Sequence, residues 1–149
     1  MNDEEVYVKH VDELMRFATS LVGPFDASDM VTDAWMKASQ AARWESVDNK
    51  RAYLYRTVLN TARSHHRSTL ARRVREQRSA SRDRIELNEP DIDVLAALGR
   101  LSMRQRAVVV LTYWEGLTAS EVAEALEVSE GSVKRHLARA RSRLREILR

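Results

Sequence analysis

The chain contains no cysteine, so neither a disulfide framework nor a thiolate metal site can be built from it. Glycine and proline are scarce, four and two in 149 residues, which leaves few places where a helix must stop. No apolar run approaches the roughly 20 residues that a bilayer span requires, so no membrane insertion is expected. The opening residues, MNDEEVYVKH, are acidic and lack the apolar core of a secretory leader, and the protein is expected in the cytoplasm. Also missing are an HExxH pair, a glycine-rich phosphate loop and any Ser/His/Asp arrangement. No catalytic residue, metal site or cofactor is therefore expected, and the chain reads as a non-enzyme.

What is present is helix-forming. Ala, Leu, Arg and Glu are abundant and 44% of residues are hydrophobic, which points to an all-α protein of one ordinary domain or two small ones. The net charge of +3 is unevenly spread. Residues 1–63 carry a balance of −2, residues 64–93 of +1 and residues 94–149 of +4. An acidic front and a basic back suit two partners of different character.

Apolar spacing places a first helix over 5–22, with Val8, Val11, Leu14, Met15, Ala18 and either Leu21 or Val22 inward, ended by Gly23-Pro24. Asp26 is placed to cap a second helix over 27–42, with Met30, Val31, Ala34, Trp35 and Ala38 inward. Residues 43–50 are polar and read as a loop. YLYRTVLNTARSHHR, residues 53–67, then forms a third helix that can run on through LARRVREQR. At about 100° per residue, Leu54, Tyr55, Val58, Leu59 and Ala62 share one side. Tyr53, Arg56, Asn60, Arg63 and Arg67 share the other, together with Thr57 and Ser64 and without a carboxylate. An acid-free stripe suits a polyanion, although a solvated face reads the same way when taken alone.

Residues 79–93 have no sustained period and contain Pro90, and read as a linker. The Arg-rich stretch 72–84 fits either a solvated helix or a polyanion contact. A second unit begins near Val94. Ser102 to Gln105 and Thr118 to Glu121 each match a capping box, and Gly116 is placed to stop the helix between them. Arg104 and Arg106 on that helix read equally as solvated residues or DNA-backbone contacts. Glu127-Val128-Ser129 makes a turn, and Ser129 can cap a last helix from Glu130 to about Leu148.

This last pair has the form of a helix-turn-helix. Val122, Ala123 and Leu126 pack its first helix, and Val133, Leu137, Ala140, Leu144 and Ile147 the second. The outer face of the second carries Ser132, Lys134, Arg135, His136, Arg139, Ser142 and Arg143. Arginine reads guanine bidentately and serine suits phosphates or base edges. Residues 134–149 hold seven Lys and Arg against one Glu. Capping, short turn and one-signed face agree on a DNA-binding helix, although helix pairs at this spacing also occur in bundles that bind no DNA.

Both halves together resemble a bacterial RNA polymerase sigma factor of the extracytoplasmic-function group. DASDMVTDAWMKASQAARW resembles the family's region 2 helix that docks on the clamp coiled coil of the polymerase β′ subunit. NKRAYLYRTVLNTARSHHR resembles the adjoining helix that melts and holds the −10 element. LSMRQRAVVVLTYWEGLTASEVAEALEVSEGSVKRHLARARSRLREIL resembles region 4, which reads the −35 element.

The resemblance implies a region 2-like domain over 1–75, a linker over 76–93 and a region 4-like domain over 94–149. It assigns −35 binding to Ser132, Lys134, Arg135, His136, Arg139, Ser142 and Arg143. It assigns −10 single-strand binding to Tyr53, Arg56, Asn60, Arg63 and Arg67, with Asn60 at a flipped base. Residues 43–50 correspond to the specificity loop. Polymerase contact falls to Asp29, Asp33, Met36 and Lys37, although Ser28 and Thr32 stand where the family often has Glu and Gln. The implied partners are core RNA polymerase through its β′ clamp and β flap, promoter DNA and an anti-sigma factor.

Two other readings exist. A helix-turn-helix regulator would dimerise on palindromic sites without polymerase. A metal-dependent nuclease would use Asp29 and Asp33, one helical turn apart, but that pair reads more readily as a solvated or partner-facing edge. His65 and His66 diverge on a helix and read as surface or DNA-backbone contacts, and His10 reads as incidental. Trp35, Trp44 and Trp114 read as core or edge packing.

Overall fold

The computed structural model describes the backbone of residues 2–76 and 91–148, and the side chains of residues 2–66 and 94–148. The linker segment 77–90 and the side chains of Arg67 and of the Arg-rich stretch 72–84 lie outside what is described; the backbone of 72–76 continues the helix begun at Lys50. All regular structure among the described residues is helical, so the all-α expectation holds. The helices are α1 (Asp3–Val22), α2 (Ala27–Gln40), α3 (Lys50–Glu76), α4 (Asp91–Gly99), α5 (Met103–Tyr113), α6 (Ala119–Leu126) and α7 (Glu130–Ile147).

Local chemistry sets most of their ends. The Asn2 side chain accepts from the Glu5 N–H at 2.8 Å, and Asp3, Glu4 and Glu5 put negative charge at the positive end of α1. Gly23 ends α1 at φ 87°, a conformation in which a Cβ is strained. Both capping boxes form, Ser102 with Gln105 and Thr118 with Glu121, and Ser129 caps α7.

Several expectations are corrected. Asp26 makes no cap bond to α2; its carboxylate lies 3.2 Å from the His65 ring instead. Val8 is exposed, because α1 turns its Val6, Leu14, Phe17 and Leu21 side to the bundle. The polar segment 43–50 contains a 3-10 turn over Trp44–Ser46, and a helix over Asp91–Gly99 takes residues 91–93 out of the expected linker.

Helices α1, α2 and α3 pack on one another as an N-terminal module. Trp44 is wholly buried within it and donates its indole N–H to Asp3 Oδ1 at 3.0 Å. An aromatic run passes from Tyr7 through Trp35 and Trp44 to Tyr53, and Phe17 meets Tyr55 edge-on. In the C-terminal module α5 and α6 both pack on α7, through Val108, Leu111, Val122 and Val133 among others. Trp114 departs from its expected packing role. It follows the last turn of α5, is 55% exposed, and edges an apolar groove of about 360 Å³ between the modules.

The two modules close on each other. α1 lies against α4 and α5, and α3 lies against α6, so the buried side chains of both halves form one continuous cluster. Arg106 is a central link. Its guanidinium donates to the carbonyls of Leu98 at 2.8 Å and Leu101 at 3.2 Å on its own side. It also donates to Leu21 at 2.8 Å on the other. Those carbonyls belong to the last turns of α1 and α4 and the turn after α4; Leu98 also accepts from the Leu101 N–H at 3.0 Å, and neither helix has a basic residue in its own last turn. Arg106 is thus neither solvated nor free for DNA, and its burial pulls its pKa below the ordinary arginine value. A second link joins Arg16 of α1 to Glu115 after α5, through two parallel bonds of 2.8 and 3.0 Å.

Candidate nucleic-acid interface

The recognition face of α7 is assembled by local rules. Val133 and Ala140 are buried, and Leu137 and Leu144 pack partly against the core. With that side turned inward, a 3.6-residue period turns Lys134, Arg135, Arg139, Ser142 and Arg143 outward, and all five are exposed. Ser132 and His136 are half-buried at the edge of the same face. Partial burial lowers the His136 pKa, and Arg104, Arg139 and Arg135 push in the same direction. Arg141 donates to the Tyr113 hydroxyl at 2.7 Å.

The stripe on α3 is different. The helix starts at an Asn49 cap, whose side chain accepts from the Ala52 N–H at 3.0 Å. Leu54, Tyr55, Val58, Leu59 and Ala62 are buried as their spacing predicts. Tyr55 has no exposure, and burial pushes its phenol pKa well above the ordinary value. Beside it, Arg51 pairs with Glu13 through two 2.9 Å bonds. Burial raises the Glu13 pKa, but hydrogen bonds and charge from Arg51 and His10 outweigh it and the net shift is downward. His10 is accordingly part of a cluster rather than incidental, 2.7 Å from Glu13.

On the outer side of α3, Asn60 is exposed and Arg63 half-exposed. Thr57 and Thr61 turn their hydroxyls back to backbone carbonyls one turn earlier, at 2.8 and 2.7 Å. Tyr53 is half-buried beneath Arg43, whose guanidinium carbon lies 5.3 Å from the ring centre. Arg56 is occupied by the other module. It donates to the Glu124 carbonyl at 2.7 Å and pairs with the Glu127 carboxylate at 3.0 Å. Local periodicity put Tyr53, Arg56, Asn60 and Arg63 on one stripe, and closure of the modules divides that stripe.

On α2, Asp29, Asp33, Met36 and Lys37 are all exposed, and Met36 presents apolar surface beside the two acids. No group of three or more His, Cys, Asp or Glu able to hold a metal occurs among the described residues. Nor is any helix among them long and apolar enough to cross a membrane. Residues that sequence reasoning missed are Arg16, Arg106, Glu115, Glu124 and Glu127, all at the contact between modules. Only Glu127 carried a local signal, as a carboxylate in a helix-ending turn where Gly or Asn is usual.

Fold and surface together define a two-module helical protein with a helix-turn-helix in one module and a cationic helix in the other. Family comparison resolves the class further. Residues 6–73 match the model of Sigma-70 region 2, and residues 91–144 that of Sigma-70 region 4. The chain is 37% identical to the RNA polymerase sigma-E factor of Streptomyces coelicolor, over 97% of this chain and 85% of that one. It is 33% identical to the ECF RNA polymerase sigma factor SigM of Mycobacterium tuberculosis, over 97% and 76%. The chain belongs to the sigma-70 family of RNA polymerase sigma factors, in its extracytoplasmic-function group.

Among solved structures it resembles the sigma factor RpoE in complex with the anti-sigma factor NepR from Bartonella quintana. The TM-score is 0.78 at 26% identity, covering 97% of this chain and 95% of that one. It also resembles CnrH in complex with the cytosolic domain of CnrY, with a TM-score of 0.69 at 26% identity over 98% and 86%.

Proposed function

We propose that this chain is the promoter-specificity subunit of RNA polymerase in its cell, with no catalysis of its own. It binds core polymerase in the cytoplasm, recognises −35 and −10 elements and initiates transcription. The observation that carries the reading is the pairing, in one chain, of an exposed one-signed α7 with an α3 whose amide, Asn60, stands open to solvent. Duplex DNA suits α7, where arginines on a helix reach base edges of the major groove. Single-stranded DNA suits α3, where an amide can read a Watson–Crick edge and Arg56, Arg63 and Arg67 hold the backbone.

In this reading the N-terminal module, to about residue 75, docks on polymerase through Asp29, Asp33, Met36 and Lys37 and opens the −10 DNA. The C-terminal module, from α4 onward, grips the −35 duplex. Each is a small DNA reader, and assembly on the polymerase supplies avidity. The similar solved structures hold anti-sigma partners, and that likeness supports a partner of the same kind here.

The test is in vitro transcription with core RNA polymerase on genomic DNA from the source organism. Discrete start sites sharing −35 and −10 elements are expected. Duplex binding by α7 with no polymerase binding and no transcription would leave a helix-turn-helix regulator as the better account.

A further inference from the structure

We infer that the C-terminal end of α6 is an internal stand-in for DNA at Arg56, so that the free chain inhibits its own single-strand face. The inference rests on the reading of α3 as that face. Three observations carry it. Arg56 is engaged by a carbonyl and a carboxylate of α6's end, oxygens of the kind a nucleic-acid backbone presents, at 2.7 and 3.0 Å. Glu124 also closes one side of a cleft of about 300 Å³ whose other walls include Asn49, Tyr53 and Arg56. A strand following α3 through this cleft meets α6.

The third observation concerns backbone geometry. Glu127 is left-handed, φ 54° and ψ 48°, and among the described residues it alone has positive φ without being glycine. A helix end of this kind favours glycine, because a Cβ there is strained. A glutamate at this position destabilises the turn relative to glycine, and its side chain's visible engagement is the ion pair with Arg56. Strain held at a position that makes a contact between modules points to use of the contact. The contact is also poorly satisfied, since the Arg56 Nε is buried and makes no hydrogen bond. A phosphate offers more acceptors than this arrangement does, so a strand can displace α6 once the modules part.

Glu127→Gly separates structure from inhibition, because it removes the carboxylate while relieving the turn and so carries little risk to folding. The probe is a short fluorescein-labelled DNA single strand of mixed sequence, titrated with the full chain at low salt and read by anisotropy. Glu127→Gly is expected to bind about 2- to 5-fold more tightly than the unaltered chain, the range that one exposed ion pair commands. The gain is expected to vanish in Glu127→Gly/Arg56→Ala. Equal affinity of Glu127→Gly and the unaltered chain overturns the inference, as does a gain that survives loss of Arg56. Promoter opening with core polymerase is measured in parallel on Arg56→Ala. Undiminished opening there removes the strand role of Arg56 and the inference with it, whereas impaired opening with equal anisotropy removes only the inhibition.

Discussion

The two arginine-bearing faces of this protein are made from the same chemistry and end in different states. On α7, Arg135, Arg139 and Arg143 are exposed, and beside them partial burial, with Arg104, Arg139 and Arg135, holds the His136 pKa below its ordinary value. On α3, Arg56 is drawn into the contact with α6 and is only 20% exposed. The difference lies in which side of each helix the other module covers. α7 packs inward through Val133 and Ala140 and leaves its outer side free, while α3 is bounded on its outer side by α6. A cationic stripe in a sequence therefore defines a capacity to bind anions. Whether that capacity is free is decided by what the rest of the chain lays against it.

The largest expected effect tests the closure that makes the two faces differ. Arg106→Ala removes a shared donor from the Leu21 carbonyl of one module and the Leu98 and Leu101 carbonyls of the other, and is expected to lower unfolding free energy by about 2–4 kcal/mol in a urea titration. A loss below about 0.5 kcal/mol, within the scatter of surface changes, would mean that the modules are not held through this residue. Next is the free face. Arg139→Ala is expected to weaken −35 duplex binding by about 1–3 kcal/mol with selectivity relaxed at one base pair. Uniform weakening on every duplex would make Arg139 a phosphate contact.

Asn60→Ala probes the open part of the α3 face. It is expected to reduce promoter opening by about 1–2 kcal/mol while polymerase binding is retained, and permanganate footprinting of the melted region reads the difference. Lost polymerase binding would place Asn60 at the wrong partner.

A smaller effect is expected for Glu115→Gln. Its acid is almost fully buried, but Arg16 is more than half exposed, so screening limits the pair to about 1 kcal/mol.

The smallest effect is a titration. The folded His136 pKa lies below the ordinary value near 6.5, so the unfolded chain takes up the proton first as pH falls. This group's contribution to stability is complete above that value and declines through the window below it. Duplex DNA places phosphates by the same ring, so its NMR midpoint is expected to rise on binding. An unchanged midpoint would put His136 outside the interface.

Much of the architecture was legible because its causes are short in sequence. Ser102 with Gln105 and Thr118 with Glu121 are three residues apart, and each pair starts its helix through hydrogen bonds that involve no other part of the chain. The inward sides of α3 and α7 follow from periodicity for the same reason. Resemblance of the motifs then reached the family. Where reading went astray, a distant partner had intervened: Asp26 turned from its helix to His65, and Arg106 looked like any surface arginine until α1 came beside it.

The sequence by itself determined most of the helices, the capping boxes of α5 and α6 and the one-signed outer face of α7, because backbone hydrogen bonding and side-chain period act within a few residues. Only the tertiary structure decided that Arg16 meets Glu115 across 99 residues and that Arg56 meets the Glu124 carbonyl across 68. Such pairings depend on how two finished surfaces fit, and no local pattern encodes the fit. That long-range step leaves Asn60 open while engaging its neighbour one helical turn away.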